Sequence, residues 1–276
     1  MKLKKKVMLL AALAALGFSG AASAADEKRS CALNVEPRTV EYPWMSIARW
    51  HEMNDGLKAR ATQGDVDVLF LGDSITEMWD KTAWDGRFGK YRAANFGIGG
   101  DHTGNVLWRL KNDGMDKLRP KVVVLLIGVN NFGLCNEEPE QVTGGVKAVV
   151  AELRTLYPDA RILLNGILPN GQLAQDERRA KARAVNGAIA ALDDGRHVFF
   201  RDYGARFLEP NGDIAAETMP DFLHLTPKAY ATWAEAMGPD IELLMREPLM
   251  GDQPMREQAT PEQPAREQPA QSKPAQ

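Results

Sequence analysis

The chain is poor in cysteine and histidine: two Cys, at 31 and 135, and four His in 276 residues. So few cysteines exclude a disulfide-dense scaffold. Two Cys and scattered His do not make a zinc-type ligand cluster, and no metal is expected. Excess positive charge is also lacking, with 34 Lys and Arg against 37 Asp and Glu and a formal net charge of −3. Such a chain has no electrostatic reason to hold nucleic acid or an anionic membrane surface. Long apolar runs are missing too. The longest, Val7 to Phe18, falls well short of the roughly 20 residues a spanning helix needs. It follows the basic stretch Met1–Lys6 and precedes Ala22-Ser23-Ala24, the order of a secretory signal peptide. Residues 1–24 are therefore expected to be cleaved and the protein exported, to the periplasm or beyond, with no integral membrane segment left. Arg29-Ser30-Cys31 lacks the small apolar residues that precede a lipidated cysteine.

Large apolar residues are absent after Met255, where Pro, Gln, Glu, Ala and Arg dominate and Pro254-Met255-Arg256-Glu257-Gln258 returns as Pro264-Ala265-Arg266-Glu267-Gln268. This composition cannot bury enough surface to offset chain entropy, so residues 251–276 are expected to be a disordered tail. What remains, 25–250, has the size of one domain. Both cysteines lie inside it. They could pair in an oxidising compartment or remain two thiols, because sequence gives no distance between them. The oligomeric state is equally open between monomer and homodimer.

Within that domain, short apolar runs alternate with helical patterns. Val66–Leu71, Lys121–Ile127, Arg161–Leu168 and Val198–Phe200 read as strands, with Arg92–Phe96 a weaker fifth. Between them, Val142, Val146, Val149, Val150, Leu153 and Leu156 share one face of a helix over Pro139–Tyr157. Asp176–Leu192 and Pro227–Met245 read similarly, the latter with proline at its first position. Strand-helix alternation implies a parallel sheet covered on both faces. Ligands of such sheets sit beyond the carboxyl ends of the strands.

Four signals fall at or soon after those ends. Gly72-Asp73-Ser74 places a serine on a tight strand-to-helix turn. Taken alone it is an ordinary Asp-Ser helix cap. Gly97-Ile98-Gly99-Gly100 suggests backbone that approaches something closely. A dinucleotide fingerprint fails there, because His102 stands where it needs glycine. Gly128-Val129-Asn130 ends the third run, and its asparagine can close a turn or aim an amide into a pocket. Asp221-Phe222-Leu223-His224 sets a carboxylate three residues before an imidazole, the side chain best suited to take a proton near neutral pH. Together they supply a nucleophile, a base, its orienting acid and oxyanion donors, the set that acyl transfer needs.

This order of motifs resembles the SGNH hydrolase superfamily, also called GDSL esterases, from about Val66 to Tyr230. The run from Asn95-Phe96-Gly97-Ile98-Gly99-Gly100-Asp101 to Gly128-Val129-Asn130-Asn131 is especially similar to the catalytic subunits of platelet-activating-factor acetylhydrolase isoform Ib. The resemblance implies a flavodoxin-like three-layer α/β/α fold with five parallel strands. It implies Ser74 as nucleophile, His224 as base, Asp221 as its partner, and an oxyanion hole from the Ser74 and Gly100 N–H groups and the Asn130 side chain, with no cofactor. Ile75 stands where the family name has leucine. The leader and the Pro/Gln tail have no counterpart in the cytosolic acetylhydrolase subunits, which moves the expected substrate from a lipid mediator toward an O-acetylated carbohydrate. A lysophospholipid, and a non-catalytic carbohydrate-binding role on the same scaffold, are the alternatives. His102, beside the glycine turn, is expected at the pocket rim, with a second base as the alternative. Trp79 and Trp84 are expected to line the acyl or alcohol site, and Trp44, Trp50 and Trp108 to pack in the interior rather than serve as sugar platforms.

Overall fold

A computed structural model describes residues 30–246. The expected leader (1–24) and tail (251–276) lie outside the described residues. The elements run α1 (Ile47–Thr62), β1 (Val68–Gly72), α2 (Ser74–Glu77), α3 (Lys81–Phe88), β2 (Ala93–Gly97), α4 (Thr103–Asn112), β3 (Val122–Leu126), α5 (Val129–Gly133), α6 (Pro139–Leu156), β4 (Arg161–Asn165), α7 (Glu177–Ile189), β5 (Val198–Arg201) and α8 (Pro227–Arg246).

The five strands form one parallel sheet in the order β2-β1-β3-β4-β5. Every residue of β1, β3 and β4 is buried, which is why those runs read as continuously apolar rather than alternating. Helices α4, α6 and α7 pack side by side, and α3 packs against α8. The result is the flavodoxin-like three-layer sandwich. Its chain reverses direction across the sheet between β1 and β3, and the loops after those strands open the crevice where such folds bind ligands.

Beyond the three expected helices and the turn of helix at Ser74, the described residues add α1, α3, α4 and the short α5. In α1 only Trp50, Asn54 and Ala61 are buried, and in α3 only Phe88, so neither carries a strong apolar stripe. Trp79 and Trp84 do not line a site. They pack with Phe70 and Phe88, and Trp79 also stacks on Trp233 at 4.8 Å between ring centroids. This aromatic cluster ties the segment after α2 to α3 and α8. Residues 30–46 form a strap before α1, and a disulfide between Cys31 and Cys135, with Cα atoms 6.1 Å apart, fastens it beyond α5.

Candidate active site

Ser74 opens α2 directly after β1. Asp73 caps the helix, its carboxylate accepting the Ile75 N–H at 3.0 Å. The helix cap and the half-buried nucleophile candidate are thus two consecutive residues. Asp73 is fully buried, one of its oxygens has no partner, and burial pushes its carboxyl up to about 7.

Across the crevice, the Ser74 hydroxyl lies 2.9 Å from His224 Nε2, and His224 Nδ1 lies 2.6 Å from Asp221 Oδ2. The other Asp221 oxygen accepts the backbone N–H groups of His224 (2.7 Å) and Leu223 (3.1 Å). Partial burial pushes the Asp221 carboxyl up, but the His224 backbone and ring hydrogen bonds outweigh it and hold the group below the usual carboxylate range. Phe222 between them adopts φ +59°, a conformation uncommon for a bulky residue. This turn brings Asp221 and His224 onto one side.

The glycine turn after β2 lies beside Ser74. Gly100 has φ +74°, and a Cβ there would come within 2.4 Å of the Trp44 ring and 2.9 Å of both terminal nitrogens of Arg38. The Gly99 N–H donates to Glu77 at 2.6 Å, and the Gly99 carbonyl accepts from Arg38 at 3.0 Å. Below the turn, Asp101 is fully buried. It accepts from the Trp50 indole at 2.7 Å and pairs with Arg109 at 2.9 Å and Arg38 at 3.7 Å. The Asn130 amide donates to the Asp101 carbonyl at 3.0 Å. Its nitrogen carries a second hydrogen, and Asn130 lines the cleft.

All five residues singled out from the sequence converge here. Ser74, His224, Gly100 and Asn130 line a cleft of about 900 Å³, and Asp221 stands behind His224. The cleft is apolar along Val129, Phe132, Leu134 and Leu223, and polar along Asn170, Arg178 and Lys181. Trp44, expected in the interior, is instead 55% exposed at the mouth and stacks on Tyr42 at 4.9 Å with planes 10° apart. Its placement depends on how the strap folds back, and no local pattern reveals that. Glu77, Met45 and Met78 also line the cleft and were not singled out.

His102 is not at the rim. It caps α4, its Nδ1 accepting the Asn105 N–H at 3.3 Å while Asn105 accepts the His102 N–H. Burial and the Arg38 charge, partly offset by Glu137, pull its pKa down to about 4. The ring is therefore neutral at pH 7 and serves as an acceptor. His102, Cys31 and Cys135 lie within ligand distance of one another, but the disulfide leaves no thiolate to bind a metal.

Residues 70–232 match the model of the GDSL-like lipase/acylhydrolase family. The chain belongs to this family. It is accordingly an acylhydrolase, a carboxylic ester hydrolase. Among its relatives is platelet-activating factor acetylhydrolase IB subunit alpha2 of Gallus gallus, 36% identical over 200 residues that cover 72% of this chain and 86% of the relative. The fold is shared with a GDSL-like lipase from Bacteroides thetaiotaomicron (TM-score 0.54, 19% identity, 71% of this chain and 97% of that one). It is shared as well with an acetylxylan esterase from Geobacillus stearothermophilus (TM-score 0.52, 17% identity, 64% and 94%).

Proposed function

We propose that this acylhydrolase is an exported serine esterase that removes short acyl groups, acetyl first among them, from O-acetylated carbohydrate. The hydrogen-bonded series Ser74–His224–Asp221 at the head of the cleft carries the reading of the chemistry. Asp221 accepts the Nδ1–H of His224 and so leaves Nε2 free as the acceptor. His224 takes the Ser74 proton as Ser74 Oγ bonds to the ester carbonyl carbon. The oxyanion that forms is held by the N–H groups of Ser74 and Gly100 and the second N–H of Asn130. When the tetrahedral species collapses, the carbon–alkoxide bond breaks, and His224 gives its proton to the leaving alcohol. Water then attacks the acyl-enzyme with His224 again as base, releasing the acid and restoring Ser74.

The carbohydrate reading is supported by the mixed apolar and polar lining of the cleft. The exposed face of Trp44, braced by Tyr42, offers a flat apolar platform of the size of a sugar ring. Asn170, Arg178 and Lys181, which line the same cleft, can hydrogen-bond ring hydroxyls. A relative named for an acetylhydrolase and a structural neighbour named for acetylxylan favour a small acyl group. Export is supported by the leader pattern of residues 1–24. The test compares p-nitrophenyl esters from acetate to decanoate with an acetylated xylo-oligosaccharide and a lysophospholipid. Rates that fall steeply beyond short acyl chains, and exceed those on the lysophospholipid when the saccharide is supplied, support the proposal. A preference for long acyl chains or for the lysophospholipid replaces it with a lipid-directed esterase.

A further inference from the structure

We propose that Arg38, on the N-terminal strap, is a positioning residue that sets the direction of the oxyanion donor at Gly100. This rests on the reading of Gly100 as one of the donors.

The Gly99 carbonyl and the Gly100 N–H belong to one peptide unit. Because that unit is planar and trans, its C=O and N–H point in opposite directions. Whatever fixes the carbonyl therefore aims the N–H. Arg38 does so: its guanidinium donates to the Gly99 carbonyl oxygen at 3.0 Å from a position only 4% exposed. A Gly-Gly step gives little resistance of its own, since glycine populates both signs of φ about equally and Gly100 already sits at +74°. Without the anchor the peptide can rotate, putting a carbonyl dipole where an N–H must meet developing negative charge.

The guanidinium is itself tightly placed. It pairs with Asp101 at 3.7 Å and lies against the rings of Tyr42 (5.4 Å) and Trp44 (5.9 Å). A planar fork can reach a carbonyl and a carboxylate at once while stacking on an aromatic face, which a lysine ammonium cannot. The strap that carries it is bound at its far end. Besides the disulfide, the buried carboxylate of Glu137 accepts from the Ser30 hydroxyl and, at 3.0 Å, from the Ala32 N–H. The Ala32 carbonyl in turn accepts from Thr103 at 2.9 Å, and the Glu36 carbonyl from Asn105 at 3.0 Å. Arg38 thus reaches the oxyanion turn from a segment otherwise outside the catalytic motifs.

The test measures kcat and KM on p-nitrophenyl acetate for the full chain, Arg38→Ala and Arg38→Lys, with and without added guanidinium ion. Losing one oxyanion donor outright costs about 10²–10³ in kcat, so misaiming one is expected to lower kcat by about 10- to 100-fold in Arg38→Ala. KM should stay within about threefold, millimolar guanidinium should restore part of the rate, and Arg38→Lys should fall between the two. A kcat for Arg38→Ala within about twofold of wild type overturns the inference. So does a loss that guanidinium leaves unchanged while the melting temperature falls, since that is a purely structural role. If Arg38→Ala does not fold, Arg38→Lys carries the test: kcat lowered at least threefold at an unchanged melting temperature supports it, and wild-type kcat overturns it. Absence of Ser74-dependent hydrolysis in the wild type would instead remove the proposed mechanism, separately from Arg38.

Discussion

Asp73 gives the sharpest link between a buried charge beside the nucleophile and a solution property. Its carboxyl is fully buried, one oxygen caps α2 through the Ile75 N–H, and the other has no partner. Burial, reinforced by the nearby Asp101 charge and only partly offset by the Ile75 hydrogen bond, raises its pKa from 3.8 to about 7. Between those two values the folded protein holds a proton that the unfolded chain has released. Stability therefore falls as pH rises through this window and is level above it. At 1.36 kcal/mol per unit, the span from 3.8 to about 7 corresponds to roughly 4 kcal/mol, a ceiling once the site relaxes around the charge. Asp73→Asn keeps an oxygen for the cap and puts an amide where the protonated carboxyl would carry its hydrogen, so near pH 4 the two proteins should be of similar stability. By pH 8 the variant should have gained about 2–4 kcal/mol relative to wild type. Because other groups titrate in both proteins, the quantity to follow is this difference, from urea denaturation at pH 4, 6 and 8. Parallel stability curves for the two proteins would refute the assignment of a buried, protonatable Asp73.

The other predictions concern the cleft and the strap. Asn130→Ala should lower kcat on p-nitrophenyl acetate by about 10²–10³ and leave measurable turnover, because two backbone donors remain; a change of less than threefold would remove Asn130 from the oxyanion hole. Trp44→Ala should reduce kcat/KM on an acetylated xylo-oligosaccharide by about tenfold, a loss of about 1.4 kcal/mol, and change that on p-nitrophenyl acetate by less than threefold. Equal losses on both substrates would show that Trp44 shapes the site and is not a platform for the saccharide. Cys31→Ser with Cys135→Ser opens a loop of 104 residues and should cost up to about 4–5 kcal/mol. For a domain of this size that lowers the melting temperature by roughly 10 °C or more, and coincident melts would mean that the strap is held without the bridge.

Much of this arrangement was legible in the sequence because it is local. The β1, β3 and β4 runs are apolar throughout, since both faces of those strands are covered. Ser74, Gly100 and Asn130 each follow a strand at once, and Asp221 and His224 share one turn. Parts built by long-range contact were not legible. Arg38 and Trp44 lie upstream of every motif and reach the site only because the strap folds back along α4. A tryptophan in sequence reads by default as a packing residue, which is right for the fully buried Trp50 and wrong for Trp44, while Trp79, expected at the site because it follows the nucleophile, packs against Phe70 and Trp233 instead. His102 beside a glycine turn resembled a rim residue, yet its short-range bond to Asn105 makes it a cap. The pairing of Cys31 with Cys135, 104 positions apart, had no local signal at all.

The most direct measurement of the central claim is the rate of p-nitrophenyl acetate hydrolysis by the wild-type protein and by Ser74→Ala, with correct folding of both checked by circular dichroism. Ser74→Ala is expected to be slower by about 10⁴-fold or more, down to the residual catalysis that the oxyanion hole alone supplies. Equal turnover by the two proteins would contradict it.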